Sequence, residues 1–393
     1  MFHFSGDIEI SKSWYNRALI IQSFVDNNFD IAGESSADDV VELKKALQDF
    51  RNGVSSFKLG LGGTTFRFFA LRLSRTPGQY TIQVHPDLFK RPQSELLSIL
   101  EQLGVDSEIK NDCFYIHSRG WKNLNKKIVV STKNSSQFLS SLILNTIDLD
   151  FDLKISYDEN MSSGSYFKYT LDILKKCRIH FELDHQEITI FKRQIPKINN
   201  IAGEVDVSSA FSICSAAVLS GEVNITNWNT DSKQPDMLFL DIFIKMNIPV
   251  SNLDKNLKII YTEKFNAIEI NLKNAPDLFP VLAVLCSFAS GTSRLYGAAQ
   301  LVLKESNRIQ KTAELLRISG FKAEILSDGL VVHGEPQRIH LLKNILFFDP
   351  ENDHRMAMAA SLLILKGFPL QLKNPYCITK SYPQFYKHIG LNI

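Results

Sequence analysis

The sequence predicts an α/β protein that is built from repeated units and divided into two domains. A pattern recurs along the chain, in which an amphipathic helix is followed by one or two short alternating strands. The length of 393 residues is typical of two or three domains, and the 44% of hydrophobic residues are enough for a sizeable core. These observations favour helices and sheets packed in layers.

The repeat is clearest in four segments, where apolar residues at helical spacing give way to period-two strands joined by Asn, Asp, His or Gly turns. Weaker copies begin at DDVVELKKALQDF and HRMAMAASLLILKG. One such unit cannot bury its own apolar face, so six units predict two domains of three units each. The polar stretch NWNTDSKQPD, residues 227–236, is the predicted boundary. The four clear segments are SELLSILEQLGVDSEIKNDCFYIHS, YTLDILKKCRIHFELDHQEITIFKR, LFLDIFIKMNIPVSNLDKNLKIIYT and TAELLRISGFKAEILSDGLVVHG.

Composition narrows the class of protein. The 44 Lys and Arg residues nearly balance the 42 Asp and Glu residues, which argues against a nucleic-acid or membrane-surface protein. Five cysteines without CxxC spacing indicate neither a disulfide framework nor a zinc site, and a cytoplasmic location is expected. The N-terminus lacks the features of a secretory signal, and the most apolar window, LFPVLAVLCSFASG, is too short to span a bilayer.

Several predicted helices begin with hydroxyl or basic residues directly before an apolar run. In LKESNR, Lys304 and Arg308 share one face at a helix start, where two cations are unfavourable unless an anion lies between them. Because the net charge is only +2, such clustered cations predict a small ligand with several negative charges, such as phosphate and carboxylate groups. The cations at predicted helix starts are Lys12, Arg17, Arg67, Lys304, Arg308 and Arg355.

Seven short motifs follow one another along almost the whole chain. They are SKSWYNRAL, LGLGGTTFR, KRPQSELLSILEQLG, SSQFLSSLIL, LKESNR, NDHRMAM and ITKSYPQFY. In this order they resemble the motifs of the 5-enolpyruvylshikimate-3-phosphate synthase family of enolpyruvyl transferases. Seven ordered motifs are far more specific than any one of them.

The resemblance implies a fold and a domain organisation. The family has a two-domain inside-out α/β barrel built from six βαβαββ-type repeats, three per domain. By this resemblance, residues 1–10 and 233–393 would form the C-terminal-half domain, which includes the first strand, and residues 11–232 the N-terminal-half domain. The active site would lie in the interdomain cleft, and the chain would cross between domains near residues 10–12 and 230–236.

The resemblance also implies a reaction of the shikimate pathway, which supplies precursors of aromatic amino acids. The enolpyruvyl group of phosphoenolpyruvate would be transferred to the 5-hydroxyl of shikimate 3-phosphate, with release of phosphate and without a metal or organic cofactor. These two small molecules would be the partners, with no nucleic acid and no membrane, and the protein would be a monomer. The chemistry needs cations for the phosphates and carboxylates, a base for the hydroxyl and an acid for the methylene.

Motif positions carry the family's site residues onto this chain. The implied catalytic residues are a base for the hydroxyl, a proton carrier near the methylene, and a lysine: Asp277, Glu305 and Lys12. The residues implied to bind shikimate 3-phosphate are Ser13 and Arg17 for its carboxylate, Ser135, Ser136 and Ser163 for its phosphate, and Gln137, Tyr166, Gln300 and Lys304. The residues implied to bind phosphoenolpyruvate are Lys12, Gly63, Thr64, Arg91, Gln137, Arg308, His354, Arg355 and Lys380.

Simpler interpretations exist for individual residues. On sequence alone, Asp277 is as readily the N-cap of an apolar helix. His354 is equally a polar residue at a helix start. A lysine in a loop near the C-terminus, such as Lys380, is usually solvated.

The chain departs from the family pattern at several positions. Glu9 and Ile10 replace a Pro-Gly pair, so the first crossing lacks a flexible glycine. Leu61 and Gln300 stand where the family usually has asparagine. The remaining departures are Asn307 in place of aspartate and Ser165 in place of proline.

The sequence leaves two alternative functions open. The related transferase that acts on UDP-N-acetylglucosamine usually has a cysteine in the loop before the Arg-Pro segment, and HPDLFKRP has none. A non-catalytic ligand-binding protein on the same scaffold is the second alternative. The presence of Lys12, Asp277, Glu305 and Lys380 argues against it, because binding alone needs no proton-transfer groups.

Overall fold

The structure, a computed structural model, describes residues 1–25, 29–123, 126–338 and 344–393. The strands in these residues are β1 (Phe2–Gly6), β2 (Asp30–Ala32), β3 (Ser56–Lys58), β4 (Gly78–Gln83), β5 (Asp106–Lys110), β6 (Cys113–Ser118), β7 (Ile128–Val130), β8 (Leu153–Tyr157), β9 (Phe181–Asp184), β10 (Glu187–Ile190), β11 (Asn200–Ala202), β12 (Gly221–Ile225), β13 (Ser251–Leu253), β14 (Asn256–Ile260), β15 (Glu269–Asn271), β16 (Thr292–Tyr296), β17 (Ala323–Leu326), β18 (Gly329–His333), β19 (Leu346–Phe348) and β20 (Leu370–Leu372).

The α-helices are α1 (Lys12–Gln22), α2 (Asp38–Arg51), α3 (Gly63–Ser74), α4 (Pro86–Phe89), α5 (Ser94–Gln102), α6 (Gln137–Leu144), α7 (Gly164–Lys176), α8 (Val207–Ser220), α9 (Leu238–Lys245), α10 (Phe279–Cys286), α11 (Arg308–Ile318), α12 (His354–Leu365) and α13 (Phe385–His388). Short 3-10 helices span Pro235–Met237, Pro276–Leu278, Ala299–Leu303 and Pro375–Lys380. In the described ranges, no helix combines the length and apolar character that crossing a membrane requires.

The chain divides into two compact units. Unit 1 consists of Met1–Ser11 and Glu204–Ile393, and unit 2 of Lys12–Gly203. The second division therefore falls at 203/204, earlier than the predicted crossing near 230–236. Strand pairing explains the difference, because β12 pairs in parallel with β1 and so brings the segment after residue 203 into the sheet of unit 1. The polar stretch 227–236 is a connection inside unit 1 that leads into α9.

The four clear sequence repeats each form the predicted helix and hairpin. They correspond to α5 with β5 and β6, α7 with β9 and β10, α9 with β13 and β14, and α11 with β17 and β18. The turn between β5 and β6 has Asn111 and Asp112 at positive φ, the geometry that tight hairpins of this type require. The two weaker copies differ, since α2 and α12 are each followed by a single short strand, β3 and β20.

The described residues of each unit form two four-stranded sheets and one parallel pair of strands. In unit 2 the orders are β3-β4-β6-β5 and β7-β8-β10-β9, with β2 beside β11. In unit 1 they are β1-β12-β14-β13 and β15-β16-β18-β17, with β19 beside β20. In every four-stranded sheet the first pair is parallel and the other pairs are antiparallel. Three sheets per unit agree with the six predicted repeats.

Helices form the interior of each unit, and the sheets lie outside them. In unit 1, α8, α10 and α12 pack against one another, and in unit 2, α1, α3 and α6 do the same. The sequence explains this position, because α10 (FPVLAVLC) is apolar on all sides and entirely buried. The strands alternate instead, and β6 has every second residue buried. This arrangement is an inside-out α/β barrel, as predicted.

Candidate active site

Arg308, the first residue of α11, is the centre of a buried charge cluster in unit 1. Its Nη1 donates to Asp277 at 2.8 Å and its Nη2 to Glu305 at 3.1 Å. Its Nε and Nη2 donate to the carboxylate of Asp353 at 2.7 and 3.1 Å. Burial lowers the pKa of Arg308, but the three carboxylates outweigh burial and raise it well above the ordinary value. The anions bonded to this predicted cation are thus carboxylates of the chain itself.

Asp277 is bound by two guanidinium groups. It lies in the 3-10 helix Pro276–Leu278, where Arg308 donates to one of its oxygens at 2.8 Å and Arg355 to the other at 3.4 Å. Burial raises the pKa of Asp277, but Arg355, Arg308 and Lys304 outweigh burial and hold the pKa well below its usual range. The cap positions of the helical turns here are Ala275 and Leu278, so the N-cap interpretation of Asp277 is wrong.

Glu305 bridges two cations. Lys380 donates to its Oε1 at 2.5 Å, while Arg308 donates to its Oε2. Lys380 ends the 3-10 helix Pro375–Lys380 and is only 6% exposed, so the interpretation of Lys380 as a solvated loop residue is wrong. Glu305 and Lys380 are 75 residues apart in the sequence, and the fold brings them together. A carboxyl group held in this way is oriented for proton transfer.

Two buried aspartates in this region were not predicted as site residues. Asp353 is fully buried, caps α12 and accepts hydrogen bonds from Ser306 and Arg308. Asp236 accepts a hydrogen bond from the Ser208 hydroxyl. Burial and the nearby Asp277 raise the pKa of Asp236 to about 7, despite the opposing effect of Arg355. Asp353 stands directly before the His-Arg pair of NDHRMAM, which is the one sequence signal that could have identified it.

The other predicted residues of unit 1 lie near these groups in the chain. His354 and Arg355 are the first two residues of α12, and both side chains are buried. Gln300, in the 3-10 helix Ala299–Leu303, donates to the carbonyl of Lys273 at 3.0 Å. Lys304 follows that helix and lowers the pKa of Asp277.

In unit 2, α1 carries two of the predicted cations. Lys12 donates to Asp39 at 2.8 Å. Arg17 is buried and donates to Thr170 at 2.8 Å and to the carbonyl of Ser13 at 2.6 Å. Burial lowers the pKa of Arg17 to about 10, with partial compensation from Tyr169 and Tyr166. Arg17 therefore stays charged at neutral pH.

Arg91 lies against the start of α3. A Cβ atom added to Gly63 would lie 2.9 Å from Nη2 of Arg91, so only glycine leaves room for the guanidinium. The Nε and Nη1 atoms of Arg91 are buried, and no described residue accepts a hydrogen bond from them. Thr64 follows Gly63 in the first turn of α3. Buried donors beside a helix start are suited to an anion.

Arg67 connects α3 to the start of α6. Its Nη1 donates to the side chain of Gln137 at 2.6 Å, and its Nε donates to Gln93 at 3.1 Å. These bonds fix the amide of Gln137, which is the first residue of α6. Gln93 was not predicted as a site residue.

Three serines lie together at the starts of α6 and α7. The hydroxyl of Ser136 donates to the carbonyl of Ser163 at 3.0 Å, and the hydroxyl of Ser135 accepts from the backbone of Gln137 at 3.2 Å. Ser163 has φ 55° and its carbonyl accepts from the backbone of Tyr166 at 3.0 Å. Two helix starts and three hydroxyls form a cradle suited to phosphate.

The predicted residues thus form separate groups within each unit. Unit 1 brings together Asp277, Glu305, Arg308, Arg355 and Lys380. Unit 2 contains the serine cradle, Arg17 and Arg91. Throughout the described ranges, no three His, Cys, Asp or Glu side chains are grouped as metal ligands would be.

Comparison with known proteins identifies similar sequences. Residues 28–389 match the family model described as EPSP synthase (3-phosphoshikimate 1-carboxyvinyltransferase). A 3-phosphoshikimate 1-carboxyvinyltransferase of Syntrophobacter fumaroxidans is 27% identical over 405 residues, which cover 96% of this chain and 94% of that protein. A protein of the same name from Methanocorpusculum labreanum is 31% identical over 326 residues, covering 83% of this chain and 76% of that protein.

Solved structures support the fold. An EPSP synthase from Acinetobacter baumannii has a TM-score of 0.75 and 19% identity, and the match covers 99% of this chain and 95% of that chain. The enolpyruvyl transferase NikO from Streptomyces tendae has a TM-score of 0.73 and 13% identity, with 99% and 94% coverage. At these identities the similarity is one of fold.

Proposed function

The chain belongs to the EPSP synthase (3-phosphoshikimate 1-carboxyvinyltransferase) family, and from this premise we propose that it transfers the enolpyruvyl group of phosphoenolpyruvate to shikimate 3-phosphate. The acceptor oxygen is the 5-hydroxyl, and phosphate is the leaving group. The observation that carries this proposal is the arrangement of Glu305, held at 2.5 Å from Lys380 and 3.1 Å from Arg308.

The transfer requires proton movements at two atoms, the acceptor hydroxyl oxygen and the methylene carbon. The hydroxyl oxygen bonds to C2 of phosphoenolpyruvate and loses its proton, and the methylene carbon gains one. When the C2–O bond to phosphate breaks, the methyl carbon formed by this protonation returns its proton, and the leaving phosphate takes up the proton that the hydroxyl lost, so atoms and charges balance. Asp277 is the base for the hydroxyl, since its carboxylate is kept ionised by Arg355 and Arg308. Glu305 carries the proton to and from the methylene carbon.

The cations stabilise negative charge on the substrates. Lys380, Arg308, Arg355 and Lys12 offset the charges of the phosphate and carboxylate of phosphoenolpyruvate. Arg91 has two buried donors with no partner among the described residues, and we assign them to the same substrate. Because Arg308 is also bonded to three carboxylates, it has a second role, which is to orient Glu305 and Asp277.

The acceptor is bound by residues of unit 2. The cradle of Ser135, Ser136 and Ser163 has the hydroxyls and helix starts that a phosphate needs. Arg17 remains charged at neutral pH and is assigned to the acceptor carboxylate.

We further propose that the protein is a cytoplasmic monomer. All five cysteines are free, which suits a reducing compartment. Light scattering at several protein concentrations tests the oligomeric state, and a constant mass near 44.6 kDa is expected.

A phosphate-release assay tests the reaction. Phosphate should appear only when phosphoenolpyruvate and shikimate 3-phosphate are both present, and neither substrate alone should give it. UDP-N-acetylglucosamine in place of shikimate 3-phosphate is the comparison acceptor. Release with UDP-N-acetylglucosamine instead would assign the chain to the related transferase, and binding of both substrates without release would favour a non-catalytic role.

A further inference from the structure

We propose that Asp158 and Glu95 are positioning residues that clamp the loop 131–136 and thereby set the affinity for the acceptor phosphate. This inference rests on the proposed function, because it concerns the serine cradle assigned to that phosphate. Asp158 lies outside the motifs on which the family resemblance depends, and Glu95 lies within KRPQSELLSILEQLG without an assigned role. Neither is predicted as a site residue from the sequence.

Asp158 follows β8 and binds two consecutive residues of the loop. Its Oδ2 accepts the backbone N–H of Thr132 at 2.6 Å and the hydroxyl of Ser131 at 3.0 Å. Burial raises the pKa of Asp158, but the hydrogen bonds from Thr132 and Ser131 and the charge of Lys133 outweigh burial and lower it. The carboxylate is therefore ionised at neutral pH, and its hydrogen bonds are of the stronger, charge-assisted kind.

Glu95 holds the same loop from another side. It lies in the first turn of α5, and its Oε1 accepts the backbone N–H of Ser131 at 2.7 Å. Two neighbouring N–H groups of one loop are thus bound by carboxylates from different elements. Residues 131 and 132 consequently have little freedom to move relative to α5 and β8.

The clamp is connected to the serines through further hydrogen bonds. The carbonyl of Thr132 accepts the N–H of Ser162 at 3.0 Å, and the carbonyl of Lys133 accepts the Ser162 hydroxyl. Ser162 precedes Ser163, whose carbonyl accepts the hydroxyl of Ser136 at 3.0 Å. The loop is therefore hydrogen-bonded at both of its ends to the segment that contains Ser162 and Ser163. Any shift of residues 131–133 changes the spacing of the three cradle hydroxyls.

Charge alone gives the opposite expectation. A carboxylate near a phosphate repels it, so removing the charge of Asp158 or Glu95 should tighten phosphate binding if electrostatics dominated. Burial and the proximity of Asp158 already raise the pKa of Glu95, which indicates that the pair is electrostatically unfavourable. Positioning predicts weaker phosphate binding when either carboxylate is neutralised. The sign of the effect therefore separates the two explanations.

The experiment compares Asp158→Asn, Glu95→Gln and the double variant with Asp152→Asn as the matched control. Asp152 precedes β8 and also accepts a backbone N–H, that of Lys192 at 2.8 Å, but this bond is not to the cradle loop. Calorimetry measures Kd for shikimate 3-phosphate and for shikimate, which lacks the phosphate. Steady-state assays measure kcat and KM for both substrates.

Each single variant should raise Kd and KM for shikimate 3-phosphate about tenfold, the factor that about 1.4 kcal/mol represents. Kd for shikimate, KM for phosphoenolpyruvate and kcat should not change, and Asp152→Asn should match wild type. Because both carboxylates fix one loop, the loss of binding free energy in the double variant should be smaller than the sum of the losses in the two single variants. Ser131→Ala removes only one hydroxyl donor to Asp158. It should therefore cause a smaller loss of affinity for shikimate 3-phosphate, again without a change for shikimate.

Tighter binding, or an equal loss for shikimate and shikimate 3-phosphate, would overturn the positioning role. An equal loss in Asp152→Asn would overturn it as well. If the wild-type protein does not bind shikimate 3-phosphate, the proposed function fails instead, and the two failures are thereby distinguished.

Discussion

Arg308 and Asp353 form a two-point ion pair inside unit 1, with Asp353 fully buried and Arg308 2% exposed. Arg308 begins α11 and Asp353 caps α12, so the pair joins the starts of two helices. Asp353 also accepts the N–H of Arg355 at 3.0 Å and the hydroxyl of Ser306 at 3.0 Å. One carboxylate thus fixes the residues from which the cations and Glu305 project.

Asp353→Asn should destabilise the protein strongly, because it leaves the buried Arg308 with one counter-charge fewer. Removing one partner of a buried ion pair costs about 3 to 5 kcal/mol, and we expect the lower end because Asp277 and Glu305 remain. Urea unfolding at neutral pH measures the free energy of unfolding. Asp349→Asn is the control, since its pair with Lys373 is exposed and should contribute about 1 kcal/mol or less. Equal effects in both variants would contradict the central role of Asp353.

Asp236→Asn should change how stability depends on pH. The folded state raises the pKa of Asp236 from 3.8 to about 7, so between these values the folded protein holds a proton that the unfolded chain does not. The contribution of this proton to stability is fully present below the pKa of Asp236 in the unfolded chain and is lost as pH rises through its pKa in the folded protein. It amounts to at most about 4 kcal/mol.

The Asn variant cannot ionise, so it should gain stability over wild type at pH 8 but not at pH 4. Urea midpoints at the two pH values measure this difference. Asp241→Asn, at an exposed position of α9, serves as the control and should follow wild type. A variant whose difference from wild type is the same at both pH values would show that Asp236 does not titrate as expected.

Glu305→Gln should lower kcat by about 10² to 10⁴, the usual contribution of a positioned proton donor or acceptor. The amide keeps the shape of the side chain, and its single oxygen can still accept from one of the two cations, Lys380 or Arg308, so the fold should be retained. Glu269→Gln is the control, because Glu269 also pairs with an arginine, Arg294, but in an exposed position. Near wild-type kcat in Glu305→Gln would rule out proton transfer by this residue.

Gly63→Ala should weaken phosphoenolpyruvate binding. The new methyl group would lie 2.9 Å from Nη2 of Arg91, so the guanidinium must move away from the start of α3. The loss of one hydrogen bond to a charged group costs about 1.5 to 3 kcal/mol, which corresponds to a rise in KM of roughly tenfold or more. KM for shikimate 3-phosphate is the internal reference and should stay constant. A similar rise in KM for both substrates would indicate general distortion of α3.

Local patterns in the sequence predicted the repeated parts of the fold. The four helix-and-hairpin segments were correct because their periodicity lies within about 25 residues. The observed division at 203/204 lies before the predicted crossing near 230–236 because the pairing of β1 with β12 joins residues 219 positions apart, and no local pattern encodes such a contact. The roles carried over by motif remain predictions, although the fold brings Asp277, Glu305 and Lys380 into one network around Arg308. Asp236 was missed because its importance depends on burial beside Asp277, which the sequence does not display.

The pairing of β1 with β12 has a consequence for the order in which the protein folds on the ribosome. Residues Phe2–Gly6 are synthesised before Lys12–Gly203, yet their partner strand follows only after the whole of that segment. At 5 to 20 residues per second, this delay is on the order of 10 to 40 s. Unit 2 can therefore complete its folding during translation while the N-terminal strand, with Phe2 and Phe4, is still unpaired. In the cell, a chaperone would have this interval in which to bind the unpaired strand.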